Sequence, residues 1–145
     1  MEFYCKTFDE LTNRQVYEIL KSRTEIFLLE QDIRCQDMDD VDYQSLHCFM
    51  EEGNRVIAYL RIYYKDMDCK IVKIGRVLTL THRNGLGREL MVRSLAIVKD
   101  KMPCEAIHVD AQVQAAGFYE KMGFLQISKE FMEEGIPHIL MERKV

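Results

Sequence analysis

The sequence predicts an α/β fold over residues 1–145: a mixed central β-sheet flanked by helices, in the order β-α-β-β-β-α-β-α-β-β. Three observations predict it. An apolar, β-branched run (Ile71, Val72, Ile74, Val77, Leu78, Leu80) passes through a short glycine loop straight into a helical pattern with Leu86, Leu90, Met91 and Leu95. A second apolar run over 106–111 is likewise followed by a helical pattern. Two further runs, over 46–50 and 56–64, flank Gly53-Asn54, the dipeptide of a tight hairpin.

The elements follow in order. Residues 2–8 alternate weakly and predict an opening strand. Thr12 and Gln15 have capping-box spacing, with Leu11 placed to staple to Val16. Val16, Ile19, Leu20, Ile26 and Phe27 give that helix its apolar face, and the pattern breaks near Glu30. Residues 31–44 are polar and acidic and predict a loop, or a short helix at most. The hairpin over 46–64 comes next, then a central strand over 70–80, the glycine loop and a helix to about Lys101, stopped by Pro103. A strand over 106–111 leads to a helix over 113–122, ended by Gly123 in the left-handed cap position. Two strands over 124–131 and 136–141 close the chain around Glu133-Glu134-Gly135.

The 145 residues suffice for a proper core without disulfide or metal staples. A net charge of −4 argues against a nucleic-acid or anionic-membrane binder, and no apolar run approaches a membrane span. The first residues have neither the basic region nor the apolar core of a signal peptide. The five cysteines are odd in number and never in C-x-x-C spacing, which predicts reduced thiols, no metal site and a cytoplasmic setting.

Strand, glycine loop and helix in succession gather free main-chain N–H groups and a positive helix end at one point, which suits a phosphate. Arg83 and Arg88 add charge there. A dinucleotide fingerprint needs a third glycine where this chain has Leu90, and a Walker loop needs a Gly-Lys-Ser/Thr that is absent. Asp37, Asp39, Asp40 and Asp42 do not form a calcium loop, because Asp42 stands where the glycine belongs. Those carboxylates are instead solvated or attract a cationic amine, unless Arg23 anchors them. His108 and Asp110 alternate on one strand face without further ligands and read as structural.

Several separated strings resemble the GNAT N-acetyltransferase superfamily, and within it the ElaA-like branch, across nearly the whole chain. They are Arg23-Thr24-Glu25-Ile26-Phe27 with Glu30-Gln31, Asp37-Met38-Asp39, Gly75-Arg76-Val77, Ala111-Gln112, 118–124 (FYEKMGF) and 135–139 (GIPHI). The resemblance implies one N-acetyltransferase domain that holds acetyl-CoA and transfers its acetyl group to the amine of a small molecule or peptide in a ternary complex. Arg83, Asn84, Gly85, Leu86, Gly87 and Arg88 would hold the pyrophosphate, with either His82 or Arg83 in the first basic position. Val77, Leu78 and Thr79 would face the pantetheine arm, joined by Gln112. Tyr119 would be the general acid toward the leaving sulfur, and Glu30 or His138 the general base, chosen from candidates that also include Glu25, His47, Glu133 and Glu134. Arg23, Glu25, Phe27, Glu30, His47, Glu134 and His138 would line the acceptor pocket, and the acidic balance favours a cationic acceptor. A Pro-Tyr pair usual in the branch is replaced by Arg34-Cys35. Two alternatives stay open: a non-catalytic CoA-binding module, and a site for another phosphate ligand such as a nucleotide. Oligomeric state is open between monomer and homodimer.

Overall fold

The computed structural model describes residues 1–82 and 85–145. Among them, eight strands form a single sheet in the order β1-β2-β3-β4-β5-β8-β6, with β7 also on β8. The strands are β1 (Glu2–Thr7), β2 (Leu46–Glu52), β3 (Arg55–Asp66), β4 (Ile71–Thr79), β5 (Ala106–Gln112), β6 (Leu125–Gln126), β7 (Phe131–Glu133) and β8 (Ile136–Lys144). The helices are α1 (Asn13–Arg23), α2 (Leu86–Lys101) and α3 (Ala116–Lys121). Only β4 and β5 run parallel; the other pairings are antiparallel. The sheet is therefore mixed, as the sequence predicts.

Local chemistry explains the boundaries. Thr12 Oγ1 accepts from the Gln15 N–H at 3.1 Å, and Gln15 Oε1 accepts from the Thr12 N–H at 3.0 Å. This reciprocal cap is worth about 1 kcal/mol. Gly53 and Asn54 both take positive φ (58° and 65°), which a two-residue hairpin of matching twist requires. Gly123, at φ 89°, ends α3, and the Phe124 N–H bonds back to the Tyr119 carbonyl at 3.0 Å.

Alternation along the strands builds two cores. Cys48, Met50, Leu60, Ile62, Val72 and Ile74 face α2 and bury Leu90, Met91 and Val98. Phe49, Val56, Tyr59 and Leu78 face the other way and bury Ile19 and Ile26 of the first helical segment. Each layer rests on the period-2 side-chain direction of the same strands.

Three elements depart from expectation. The first helix does not simply fray near Glu30; after Arg23 it widens into a π-helical segment, Thr24–Glu30. The helix expected over 113–122 is a 3₁₀ turn (Val113–Ala115) followed by the short α3. The strand expected over 124–131 is two short strands. Side-chain bonds interrupt it: Ser128 Oγ accepts from the Leu140 N–H at 2.9 Å, and Gln126 Nε2 donates to the Ser128 carbonyl at 2.8 Å. A serine hydroxyl thus replaces a ladder partner and turns the chain off the sheet.

Candidate active site

Pairing between β4 and β5 ends at Ile74 and Val109. Beyond that point β4 carries a bulge against β3, where the register shifts between Tyr59 and Arg61. Arg76 sits in the bulge with φ 52°, in the left-handed region that side chains with a Cβ rarely occupy. The two strands therefore diverge, and a cleft of about 870 Å³ opens between Gly75–Thr79 on one wall and Asp110 and Gln112 on the other.

Where α2 begins, Gly85 (φ 88°) is its N-cap and has no side chain to satisfy the first-turn N–H groups. Gly87 stands against Thr79 and Phe118: a Cβ there would lie 3.7 Å from Thr79 Cγ2 and 3.8 Å from the Phe118 ring. The missing side chain keeps this end of the cleft open. Leu86 is buried in the core, so only its main chain is available, and Arg88 is exposed. Arg83 and Asn84 lie outside the described residues. His82 is exposed, with Nε2 at 3.4 Å from Glu30 Oε1.

Tyr119 also lines the cleft. It is 6% exposed, its ring packs edge-on against Phe118 and Phe124, and its hydroxyl has no hydrogen-bond partner among the described residues. Burial raises its pKa, so the phenol stays protonated. On the β8 side, His138 is buried and lies opposite Gln112. Its Nδ1 donates to the Ile136 carbonyl at 2.7 Å, and its Nε2 lies 3.5 Å from Glu133 Oε2. Phe131 stacks on the imidazole at 6.0 Å. Val77, Leu78, Thr79, Gln112, Phe27, Glu30 and Glu134 line the same cleft. Gln31 Oε1 accepts from Gln112 Nε2 at 3.0 Å, a contact that spans it.

Three expected acceptor residues do not line it. Arg23 is fully buried and its guanidinium is consumed by Asp37 (Nε to Oδ2, 2.9 Å) and Asp42 (Nη1 to Oδ1, 2.7 Å). Glu25 pairs with Arg55 at 3.3 Å, away from the cleft walls. His47 is buried between Tyr59 Oη (2.7 Å) and the Asp42 carbonyl (2.9 Å), and burial lowers its pKa, so it is neutral. It lines a separate, largely apolar cavity of about 240 Å³ with Phe8, Ile19 and Tyr43.

The acidic loop is not a lure for cations either. Asp37 bridges Arg23 and Arg76, Asp39 bridges Arg76 and Arg61, and Asp42 bridges Arg61 and Arg23. The six side chains close a ring of alternating charge. The Arg61 hydrogen bond holds the Asp39 carboxyl down to about 2. Burial works against the Asp42 carboxylate, but its bond to Arg23 prevails and lowers the pKa. Sequence reasoning left Arg61, Arg76 and Tyr63 out of the cleft, and with them the ion pair of Lys73 and Asp110. A lone arginine or lysine inside an apolar strand pattern is the signal that could have found Arg61 and Lys73.

Comparison with known proteins accords with this geometry. The acetyltransferase (GNAT) domain family matches residues 27–145. The chain belongs to the GNAT acetyltransferase family. Protein ElaA of Escherichia coli is 33% identical over 140 residues, covering 94% of this chain and 92% of ElaA. The crystal structure of Escherichia coli ElaA superposes with a TM-score of 0.92 at 30% identity, covering 99% of both chains. An acyl-CoA N-acyltransferase from Pseudomonas aeruginosa superposes with a TM-score of 0.90 at 31% identity, again over 99% of both. The PaiA N-acetyltransferase of Thermoplasma acidophilum, solved in complex with coenzyme A, has a TM-score of 0.70 at 12% identity, covering 100% of both chains; this likeness concerns the fold alone. The split sheet is thus that of a GNAT acetyltransferase. No helix among the described residues is long and apolar enough to cross a membrane.

Proposed function

We propose that this GNAT protein is an acetyl-CoA-dependent N-acetyltransferase that acetylates a cationic small-molecule or peptide amine by direct attack in a ternary complex. One observation carries the reading: a phenol with no hydrogen-bond partner among the described residues and a histidine whose Nε2 meets Glu133 line one cleft at the split of β4 and β5. The residues suit coenzyme A, since a glycine cradle and uncapped helix N–H groups stand at one end and strand main chain along the side. When bound, acetyl-CoA supplies an activated thioester, so the protein's task is mostly orientation.

In this proposal the main chain of Val77, Leu78 and Thr79 aligns the donor arm, and an N–H of Leu78 or Thr79 faces the thioester oxygen, where charge develops. The ammonium of the acceptor loses a proton to His138 Nε2, and Glu133 favours the resulting imidazolium. As the carbon–sulfur bond breaks, Tyr119 Oη gives its proton to the departing sulfur, and the tyrosinate is reprotonated as the newly acylated nitrogen sheds its extra proton, leaving a neutral amide and a thiol. Glu30 stands beside His82 at the approach to α2, so His138 is the better placed base. With Asp37, Asp39 and Asp42 paired and Asp40 away from the cleft, Glu133 at the end of β7 and Glu134 in the turn to β8 remain to attract a cation.

The test is thiol release from acetyl-CoA over a panel of amines, with polyamines and basic peptides included. Release above the no-amine rate is expected, with an acetylated product confirmed by mass. Tight coenzyme A binding without transfer to any amine would assign the protein as a binding module instead. ATP or NAD raising the melting temperature where coenzyme A does not would point to a different phosphate ligand.

A further inference from the structure

Two guanidiniums grip Asp37 in the same manner. Arg23 donates from Nε to Oδ2 at 2.9 Å and from Nη2 to the main-chain carbonyl at 3.0 Å. Arg76 donates from Nε to Oδ1 at 2.9 Å and from Nη2 to the same carbonyl at 2.9 Å. Four charge-assisted bonds converge on one residue of an otherwise irregular loop. Their origins matter more than their number. Arg23 closes α1 and is fixed in the protein interior, whereas Arg76 occupies the bulge that parts β4 from its neighbours.

Arg76 has φ 52°, a conformation that a residue with a Cβ holds only when its surroundings impose it. The clamp supplies the restraint. Asp39 and Asp42 close the ring through Arg61, but of the three aspartates only Asp37 joins the anchored Arg23 to the strained Arg76. We propose that Asp37 is a positioning residue of the transferase: through Arg76 it holds the bulge, and so sets the Val77–Leu78 main chain along the cleft wall. Because the role is assigned within acetyl transfer, it rests on the function proposed above. It also gives the acidic loop a purpose that attraction of a cation does not supply.

Three variants test it: Asp37→Asn, Arg76→Ala and Arg76→Gly. In Asp37→Asn, kcat is expected to fall about tenfold or more from misaligned main chain. The Kd for coenzyme A should change by less than kcat does, since the α2 end of the cleft is untouched. The amide resonances of Gly75, Val77 and Leu78 should shift in the ligand-free protein. Arg76→Gly accepts positive φ without a clamp, so it should retain several-fold more activity than Arg76→Ala, although it removes more side chain. A folded Asp37→Asn protein with wild-type kcat and unmoved amides overturns the proposal, as do equal activities for the two Arg76 variants. If Asp37→Asn does not fold, the Arg76 pair decides. If the wild type acetylates no amine, the proposed function fails, and the Gly75–Leu78 resonances of the three variants still decide whether Asp37 sets the bulge.

Discussion

Tyr119→Phe removes a single oxygen, and the structure predicts opposite effects on stability and turnover. The ring keeps its edge contacts with Phe118 at 5.2 Å and Phe124 at 5.8 Å, so packing is preserved. No hydrogen bond among the described residues is lost, because the hydroxyl has no partner there. The hydroxyl oxygen reaches the cleft and is not sealed from solvent, so its removal should be neutral or at most mildly stabilising. For a chain of 145 residues, the unfolding entropy is about 0.3 kcal/mol/K, and 1 kcal/mol corresponds to about 3 °C in Tm. The expected Tm is therefore unchanged or higher by up to about 3 °C. Loss of a general acid lowers kcat by about 100-fold or more, a barrier increase of about 2.7 kcal/mol. Thiol release at saturating acetyl-CoA measures the second effect, thermal unfolding the first, and equilibrium dialysis confirms that coenzyme A still binds. Unchanged kcat removes Tyr119 from the chemistry. A large fall in Tm would show instead that the hydroxyl holds a structural contact, and the reasoning from its missing partner would be wrong.

Replacing the buried Arg23 by Met leaves Asp37 and Asp42 short of a cation, so we predict a loss of about 3 kcal/mol or more in urea unfolding; a loss below about 1 kcal/mol would refute the importance of the ring. Arg61 holds the Asp39 carboxyl at about 2 against an ordinary 3.8. A carboxylate whose folded pKa is depressed adds stability that is present above about pH 4 and is lost as pH falls through the folded value, so Asp39→Asn should flatten the acid unfolding curve there. An acid limb of unchanged slope would contradict that assignment. Gly87→Ala places a methyl group in ordinary contact with Thr79 and Phe118. It should raise stability by about 0.5–1 kcal/mol through helix propensity while weakening coenzyme A binding several-fold; affinity that is unchanged would remove Gly87 from the cradle.

The regular parts of the fold were legible because each depends on near neighbours in sequence. The cap at Thr12 and Gln15, the Gly53-Asn54 hairpin, the helix after Gly85 and the stop at Gly123 are all set within a few residues. The two cores follow from alternation within β2 and β3. What escaped depends on partners distant in sequence. Ser128 breaks the expected strand only because Leu140 presents an N–H to it. The π-helical widening at Thr24–Glu30 has no marker in residue pattern. In the cleft, Tyr119, Glu30, His138, Gln112 and the Val77–Thr79 wall were named from the sequence, by motif rather than by geometry. Arg23, Glu25 and His47 were misplaced for a common reason: a polar residue near a site string reads the same whether it faces substrate or is consumed by Asp42, Arg55 or Tyr59.

The acidic loop shows how a charge count misleads when pairing is unknown. With 24 acidic and 20 basic residues the chain carries −4, and four closely spaced aspartates suggest that this surplus is concentrated at the site. Asp37, Asp39 and Asp42 are instead each shared between two arginines, the ring they close has no net charge, and Asp40 does not line the cleft. Desolvated carboxylates held this way gain more from fixed guanidiniums than from a diffusing amine. On the proposed function, then, discrimination among amines falls to the β7–β8 turn. Glu133 lies 3.5 Å from His138 Nε2, and Glu134 has no ionic partner among the described residues. A carboxylate beside the base can meet a second positive group on the acceptor while the first loses its proton, which a neutral ring on the opposite wall cannot do. The loop fixes the strand and the turn selects the amine, so changes in the two should separate into effects on kcat and on acceptor KM.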